Sequence, residues 1–248
     1  CYAEYGYETI STNPCSELPL SYLDSCRLLL LNLFSYVKNP FKRNAYFDFE
    51  EFHHDTMIAQ RLMDDLIDLE LEKIEQIITK IENDPESDNI KKVEREMWEK
   101  VHHTCKTGRR TGCGITALGD AIAAVGLKYG SQKSIDFTDK VYKTLKLAAY
   151  RSSVEMAKEL GPFDVWDHNL EKDCPFIKRI KDEDEKLWKD MKKYGRRNIA
   201  LLTTAPAGSV SLLAKLVNQY GSSSGIEPQF SILPYTRKKK INPNDENA

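Results

Sequence analysis

The sequence contains no hydrophobic run long enough to cross a membrane. Its longest apolar stretch, residues 28–33, is interrupted by Asn32 and falls far short of the roughly 18 residues that a spanning helix needs. The first ten residues have neither the basic start nor the apolar core of a secretory signal peptide, and no Met opens the chain. We therefore expect a cytoplasmic chain with no membrane partner, either processed or part of a longer protein.

The sequence also lacks an excess of charge of one sign. Lys and Arg total 36 and Asp and Glu total 38, so the formal net charge is −2. Proteins that coat nucleic acids need clustered basic residues. We therefore expect no nucleic-acid polymer among the partners.

Cysteine is sparse for a chain of 248 residues, with Cys1, Cys15, Cys26, Cys105, Cys113 and Cys174. This number argues against a secreted fold held by disulfides, and the absence of any CxxC pair excludes a zinc ribbon or a thioredoxin motif. The adjacent histidines His53-His54 and His102-His103 diverge on a helix and lack further ligands at suitable spacing. We therefore predict no metal site.

Hydrophobic periodicity predicts a helix-rich chain with a few buried strands between the helices. Helices are expected over about 48–82, 88–105, 117–126, 134–160 and 182–194, and another follows residues 205–211. Strands are expected within 107–116, over 198–204 and over 229–234. Residues 28–37 fit either a strand or a short helix. Residues 163–180 are predicted to form a loop. Strands separated by helices predict an α/β fold, and too few strands are present to close a barrel.

The segment Thr12-Asn13-Pro14-Cys15-Ser16-Glu17 carries the densest chemistry in the sequence. In an extended segment, side chains two residues apart point to the same side, so Asn13, Cys15 and Glu17 are expected to converge on one ligand. Glu17 disfavours a thiolate nearby, so Cys15 suits hydrogen-atom chemistry better than nucleophilic attack. Glu17 can act as a base toward a hydroxyl, and Asn13 can donate and accept hydrogen bonds. On spacing alone, a structural loop with a buried Cys is the alternative.

A second candidate site follows the strand predicted at 198–204. The loop 205–211 opens a helix, and helix N-termini offer free N–H groups and a positive dipole end to phosphate. An ordinary helix cap is the alternative. The predicted phosphate-binding residues are Ala207, Gly208, Ser209, Val210 and Ser211.

The order NPCSE and then DSCRLL resembles the finger loop of ribonucleotide reductase large or catalytic subunits. Further segments resemble that family in the same order: RRTG at 109–112, the loop 205–211, SSGIEP at 223–228 and RKKKIN at 237–242. The STNPC segment, with a second Cys eleven residues on, is most similar to the adenosylcobalamin-dependent class. The alternative is the class whose radical comes from a metal-containing small subunit.

The resemblance implies the second half of a ten-stranded α/β barrel. Residues 1–248 would then form the C-terminal part of the catalytic barrel, with a central finger loop at 11–27, a phosphate loop at 205–211 and a polar tail at 237–248. The family usually has Thr where Ala207 stands, so one hydroxyl is missing here.

The resemblance also implies radical reduction of ribonucleotides to 2′-deoxyribonucleotides. Cys15 would be the thiyl radical that takes the 3′-hydrogen, Glu17 would take the 3′-hydroxyl proton and Asn13 would hold the sugar hydroxyls. Cys26 would be one of two reducing thiols, recycled by a dithiol reductant such as thioredoxin. The other thiol lies upstream in the family, so we expect activity to require an N-terminal portion.

Two other functions stay open at this point. One is another thiyl-radical enzyme of the glycyl-radical type, and the other is a non-catalytic fragment or interaction module. The paired arginines Arg109-Arg110 and Arg196-Arg197 either approach a phosphate or form ion pairs within the fold.

Overall fold

The computed structural model describes residues 1–25, 27–218 and 225–228, and helices make up most of them. The helices of this part are α1 (Phe49–Asn83), α2 (Asp88–Gly108), α3 (Leu118–Ala124), α4 (Gln132–Leu160), α5 (His168–Glu171), α6 (Pro175–Glu183), α7 (Glu185–Tyr194) and α8 (Gly208–Asn218). The strands are β1 (Ser11–Thr12), β2 (Pro19–Leu20), β3 (Leu28–Asn32), β4 (Val37–Lys38), β5 (Tyr46–Phe47) and β6 (Gly112–Thr116).

Three parallel segments form the centre of the fold. Strand β3 pairs with β6 in parallel, with Leu28 opposite Gly112, and β6 also forms a parallel bridge from Cys113 to Leu202. The Cys113 amide donates to the Leu201 carbonyl at 2.7 Å. The approach is close, because a Cβ added at Gly114 would lie 2.5 Å from the Thr203 carbonyl oxygen. The predicted strand at 198–204 is thus an extended segment beside β6, joined by a single bridge.

The long helices begin and end where the sequence predicts. The Asp48 side chain accepts a hydrogen bond from the Glu51 amide at 3.0 Å and caps α1, and Ser131 caps α4 in the same way. Gly161 ends α4. Helices α1 and α4 pack against each other and cover the parallel strands.

The loop predicted over 163–180 is wrong, because this region contains α5 and α6. Pro175 lies at the first turn of α6, where its missing N–H costs nothing, so it starts a helix here rather than breaking one. Ile177 and Ile180, three residues apart, bury the inner side of α6 against α4 and α7. The helix predicted from 182 begins at α7, with Asp184 as its cap.

The α/β character and the high helix content are confirmed, but a closed barrel is not seen. Within 1–25, 27–218 and 225–228, the parallel pairing comprises β3, β6 and the Leu202 bridge, so the ten-stranded barrel of the sequence prediction is not confirmed. The strand predicted at 229–234 and the polar tail at 237–248 lie outside the described residues.

The core forms two hydrophobic clusters around these segments. One packs β3 and β6 against α1, α3 and α4, and the other joins α4, α6 and α7 to Leu201. None of the helices in the described ranges has both the length and the apolar character needed to span a bilayer.

Candidate functional site

The finger loop is a short hairpin in which β1 and β2 pair antiparallel. Asn13 closes it, because its side-chain oxygen accepts from the Leu18 amide at 2.9 Å and its own amide donates to the Leu18 carbonyl at 3.1 Å. Asn13 is buried at 6% exposure, so its carboxamide carbonyl shapes the loop rather than standing free for a ligand.

The predicted convergence of Asn13, Cys15 and Glu17 on one cavity is not seen. The tip is a turn in which Ser16 has a left-handed φ of 64°, so the alternation of an extended strand does not apply. Cys15 is exposed as a free thiol, whereas Glu17 is half-buried and lines a cleft that does not include Cys15 among its lining residues.

That cleft, of about 570 Å³, lies where the extended segment 198–204 ends. Besides Glu17, its walls come from one side of α4, one side of α6 and the segment end; they include Asp139, Tyr142, Lys143 and Lys146, then Phe176, Arg179 and Glu183, and finally Leu202, Thr203 and Thr204. Within the described residues, Glu17 Oε2 and Thr203 Oγ1 are buried without a hydrogen-bond partner. Buried polar atoms without partners are uncommon and often mark a site that a ligand completes.

The predicted phosphate loop follows Thr204 directly, and α8 begins at Gly208 as expected. Ala207 is fully buried, and Ser209 and Val210 are exposed on the first turn. The Ser211 hydroxyl donates to the Gly208 carbonyl at 2.7 Å, so it is engaged within the helix. The backbone N–H groups of the first turn therefore remain the donors that this loop offers to an anion.

Ion pairs anchor the base of the finger loop. Arg110 pairs with Asp24, and Arg27 pairs with Glu70 of α1. Arg27 also donates to the Arg110 carbonyl at 2.9 Å, which ties the strand after the loop to the residues that precede β6. These contacts hold the C-terminal end of the loop beside the parallel strands.

Asp64, buried in α1, is the centre of a polar network. It accepts from Arg109 Nε at 2.8 Å, from Asn198 at 2.7 Å and from Arg197 at 3.3 Å. Arg196 is likewise buried and paired with Glu171. The four arginines left open by the sequence are therefore ion-paired within the fold.

Three cysteines differ in their chemistry. Burial raises the pKa of the Cys113 thiol to about 12 and that of Cys105 to about 11, so both stay protonated at neutral pH. Cys15 is exposed. Cys26, the predicted reducing thiol, lies outside the described residues, as do Ser223, Ser224 and the basic segment 237–242.

The raised pKa values of Cys113 and Cys105 predict that stability falls in alkali. The unfolded thiols ionise from about pH 9, whereas the folded thiols keep their protons until about pH 11–12. The free energy of unfolding should therefore fall above pH 9, by about 1.4 kcal/mol per buried thiol and pH unit. Urea unfolding at pH 8 and 10 measures this. Cys113→Ala should make the fall shallower, and a constant free energy across that range would contradict the prediction.

Sequence reasoning missed the helical walls of the cleft. Lys143 and Arg179 lie on α4 and on the helix that was expected to be a loop, and neither belongs to a motif. On each helix, the residues that line the cleft are three and four positions apart, so they share one side of the helix. This spacing was the signal in the sequence that could have indicated the walls. Across the part of the chain described, no cluster of three or more His, Cys, Asp or Glu residues suits a metal ion.

Comparison with known families gives a match over most of the chain. The family model "Ribonucleotide reductase, barrel domain" matches residues 4–244. Among curated relatives, the vitamin B12-dependent ribonucleoside-diphosphate reductase of Thermoplasma acidophilum is 29% identical over 90% of this chain and 22% of its own length. The corresponding Mycobacterium tuberculosis protein is 25% identical over 90% of this chain and 24% of its own length.

A solved structure shares the fold. The class Id ribonucleotide reductase alpha subunit of Actinobacillus ureae matches with a TM-score of 0.52 and 19% identity, over 92% of this chain and 33% of that one. The chain spans about a quarter of the length of the curated relatives it matches.

Proposed function

Because the chain belongs to the ribonucleotide reductase barrel-domain family, we propose that it forms the C-terminal part of a catalytic barrel that reduces ribonucleotides to 2′-deoxyribonucleotides. Its relatives are named for ribonucleoside diphosphates as substrates. The observation that carries the proposal is Glu17, whose buried carboxylate oxygen faces the cleft at the end of the segment leading to the loop 205–211. A base beside a helix N-terminus suits a ligand with a hydroxyl and a phosphate.

The proposed residue roles are those that the resemblance of the finger loop to the family implies. Cys15, as a thiyl radical, takes the 3′-hydrogen, and Glu17 takes the proton of the 3′-hydroxyl. The 2′-hydroxyl leaves as water while two thiols are oxidised to a disulfide, so one ribonucleotide consumes one dithiol. Cys26 is proposed as one of the two thiols, and a reductant such as thioredoxin restores them. Asn13, which closes the loop, positions Cys15 and Glu17.

The segment 205–211 is proposed to bind the substrate phosphate. Its donors are the backbone N–H groups at Gly208, Ser209 and Val210, because the Ser211 hydroxyl is already engaged. Ala207 lines the turn without adding a hydroxyl.

Adenosylcobalamin is proposed as the radical source, because the relatives named above are vitamin B12-dependent. The cleft that Glu17 lines does not fit such a group: at about 570 Å³ it has the size of a site for a small ligand rather than a corrinoid. The residues of this chain are therefore assigned to substrate chemistry and not to holding the cofactor.

Complementation tests the proposal. The 248-residue chain alone should not reduce ribonucleotides, because the second reducing thiol is expected on an N-terminal portion. Adding that portion with adenosylcobalamin and a dithiol should restore formation of 2′-deoxyribonucleotide, measured by chromatography of the product. Turnover by the chain alone would contradict the incomplete-barrel proposal. If the mixture is inactive although both parts fold and associate, the chain is an interaction module instead.

A further inference from the structure

The cleft is lined by two cations that have no ion-pair partner among the described residues. Lys146 is paired with Glu183 across the gap between α4 and α6. Lys143 and Arg179 also line the cleft, yet neither forms an ion pair with any carboxylate in the described part of the chain. Arg179 lies 5.7 Å from the centre of the Phe176 ring, a cation–π contact that holds its guanidinium at the cleft wall.

Two residues that line the same cleft each have one unsatisfied polar atom. Thr203 Oγ1 and Glu17 Oε2 are buried and, within the described ranges, lack hydrogen-bond partners. Thr203 is only 6% exposed, so water gives its hydroxyl little compensation. Leaving such atoms unpaired is unfavourable, and a ligand hydroxyl would satisfy both a carboxylate and a threonine hydroxyl.

The charged residues that line the cleft favour particular chemical groups on a ligand. A phosphate is repelled by Glu17 and Asp139 and attracted by the free Lys143 and Arg179 side chains, whereas a sugar hydroxyl suits Glu17 and Thr203. Arg in particular binds phosphate oxygens through paired donors. The cleft therefore offers Glu17 and Thr203 to hydroxyl groups, and Lys143 and Arg179 to an anion.

We propose that Lys143 and Arg179 are phosphate-binding residues for a ribonucleoside 5′-phosphate, and that Thr203 is a positioning residue that contacts a sugar hydroxyl. The inference rests on the proposed function and adds to it a cationic wall on α4 and α6, separate from the backbone donors of the loop 205–211. It assigns substrate recognition to side chains outside every motif in the sequence.

Calorimetric titration of the full chain with adenosine diphosphate and with adenosine tests the proposal. Lys143→Gln and Arg179→Gln should each lower the affinity for the diphosphate at least about tenfold, with binding of adenosine unchanged. Lys133→Gln removes the same charge from an exposed position on α4 that does not line the cleft, and it should change the affinity less than about twofold. Thr203→Val should weaken binding of both ligands, because it removes the hydroxyl and keeps the shape.

Two results would overturn the inference. One is a diphosphate affinity that the variant combining Lys143→Gln and Arg179→Gln leaves unchanged, and the other is the absence of any diphosphate binding to a folded chain. Either result leaves the proposed function standing if the complemented mixture still reduces ribonucleotides in a Cys15-dependent way. Conversely, diphosphate binding that depends on Lys143 and Arg179, in a mixture without turnover, would support the inference and contradict the proposed function.

Discussion

Replacing Cys15 with alanine is expected to abolish ribonucleotide reduction in the complemented mixture. A thiyl radical needs a sulfur atom, and no other side chain in the hairpin can abstract the 3′-hydrogen. The loss should be at least about a thousandfold, down to background, as for other residues that carry a reaction themselves. Formation of 2′-deoxyribonucleotide measures it.

Cys1→Ala is the matched control for this variant. Cys1 is also an exposed free thiol, but it lies outside the hairpin, so its replacement should leave turnover within about twofold. Cys15 lies at the loop tip and is exposed, so alanine there should not change the thermal unfolding midpoint appreciably. Reduction that continues in the Cys15→Ala variant would exclude this residue as the radical site.

The Asp64→Asn variant is expected to lose a large part of the stability of the fold. Asp64 is 1% exposed and receives hydrogen bonds from Arg109, Arg197 and Asn198. Neutralising it leaves the buried Arg109 guanidinium without its main counter-charge, which costs about 3–5 kcal/mol in comparable sites. Urea unfolding followed by circular dichroism measures the loss.

Asp68→Asn provides the comparison within the same cluster. Asp68 also pairs with Arg109 at 2.8 Å, but its side chain is 54% exposed, so water replaces much of what is lost. Its effect should stay below about 1 kcal/mol. Equal losses for the two variants would show that burial does not determine the contribution of this network.

The features that local chemistry determines could be predicted from the sequence. The start of α1 follows from Asp48 and the apolar spacing behind it, and the start of α8 follows from a small-residue turn after an extended segment. Both depend on neighbours within one turn of helix.

The features that failed depend on distant contacts or on one unusual backbone angle. The predicted alternation of side chains assumed an extended finger loop, whereas Ser16 adopts a left-handed conformation within a turn closed by Asn13 and Leu18. The spacing along α4 and α6 indicates only one side of each helix; the cleft itself was not predicted, because α4, α6 and the end of the extended segment meet only in the folded chain. The helix α6 was also not predicted; it begins at Pro175, which is favourable at the first turn of a helix.

The parallel pairing of β3 with β6 has a consequence for how the chain folds. Helices α1 and α2 lie between the two strands in the sequence, so the register of Leu28 with Gly112 can form only after a long loop closes. Closing that loop costs conformational entropy before the contacts between the strands stabilise the fold. Proteins rich in such distant contacts fold slowly. The α1–α2 hairpin, whose contacts are closer in sequence, can form first. The finger loop, which leads directly into β3, would then reach its final position only in the last stages of folding.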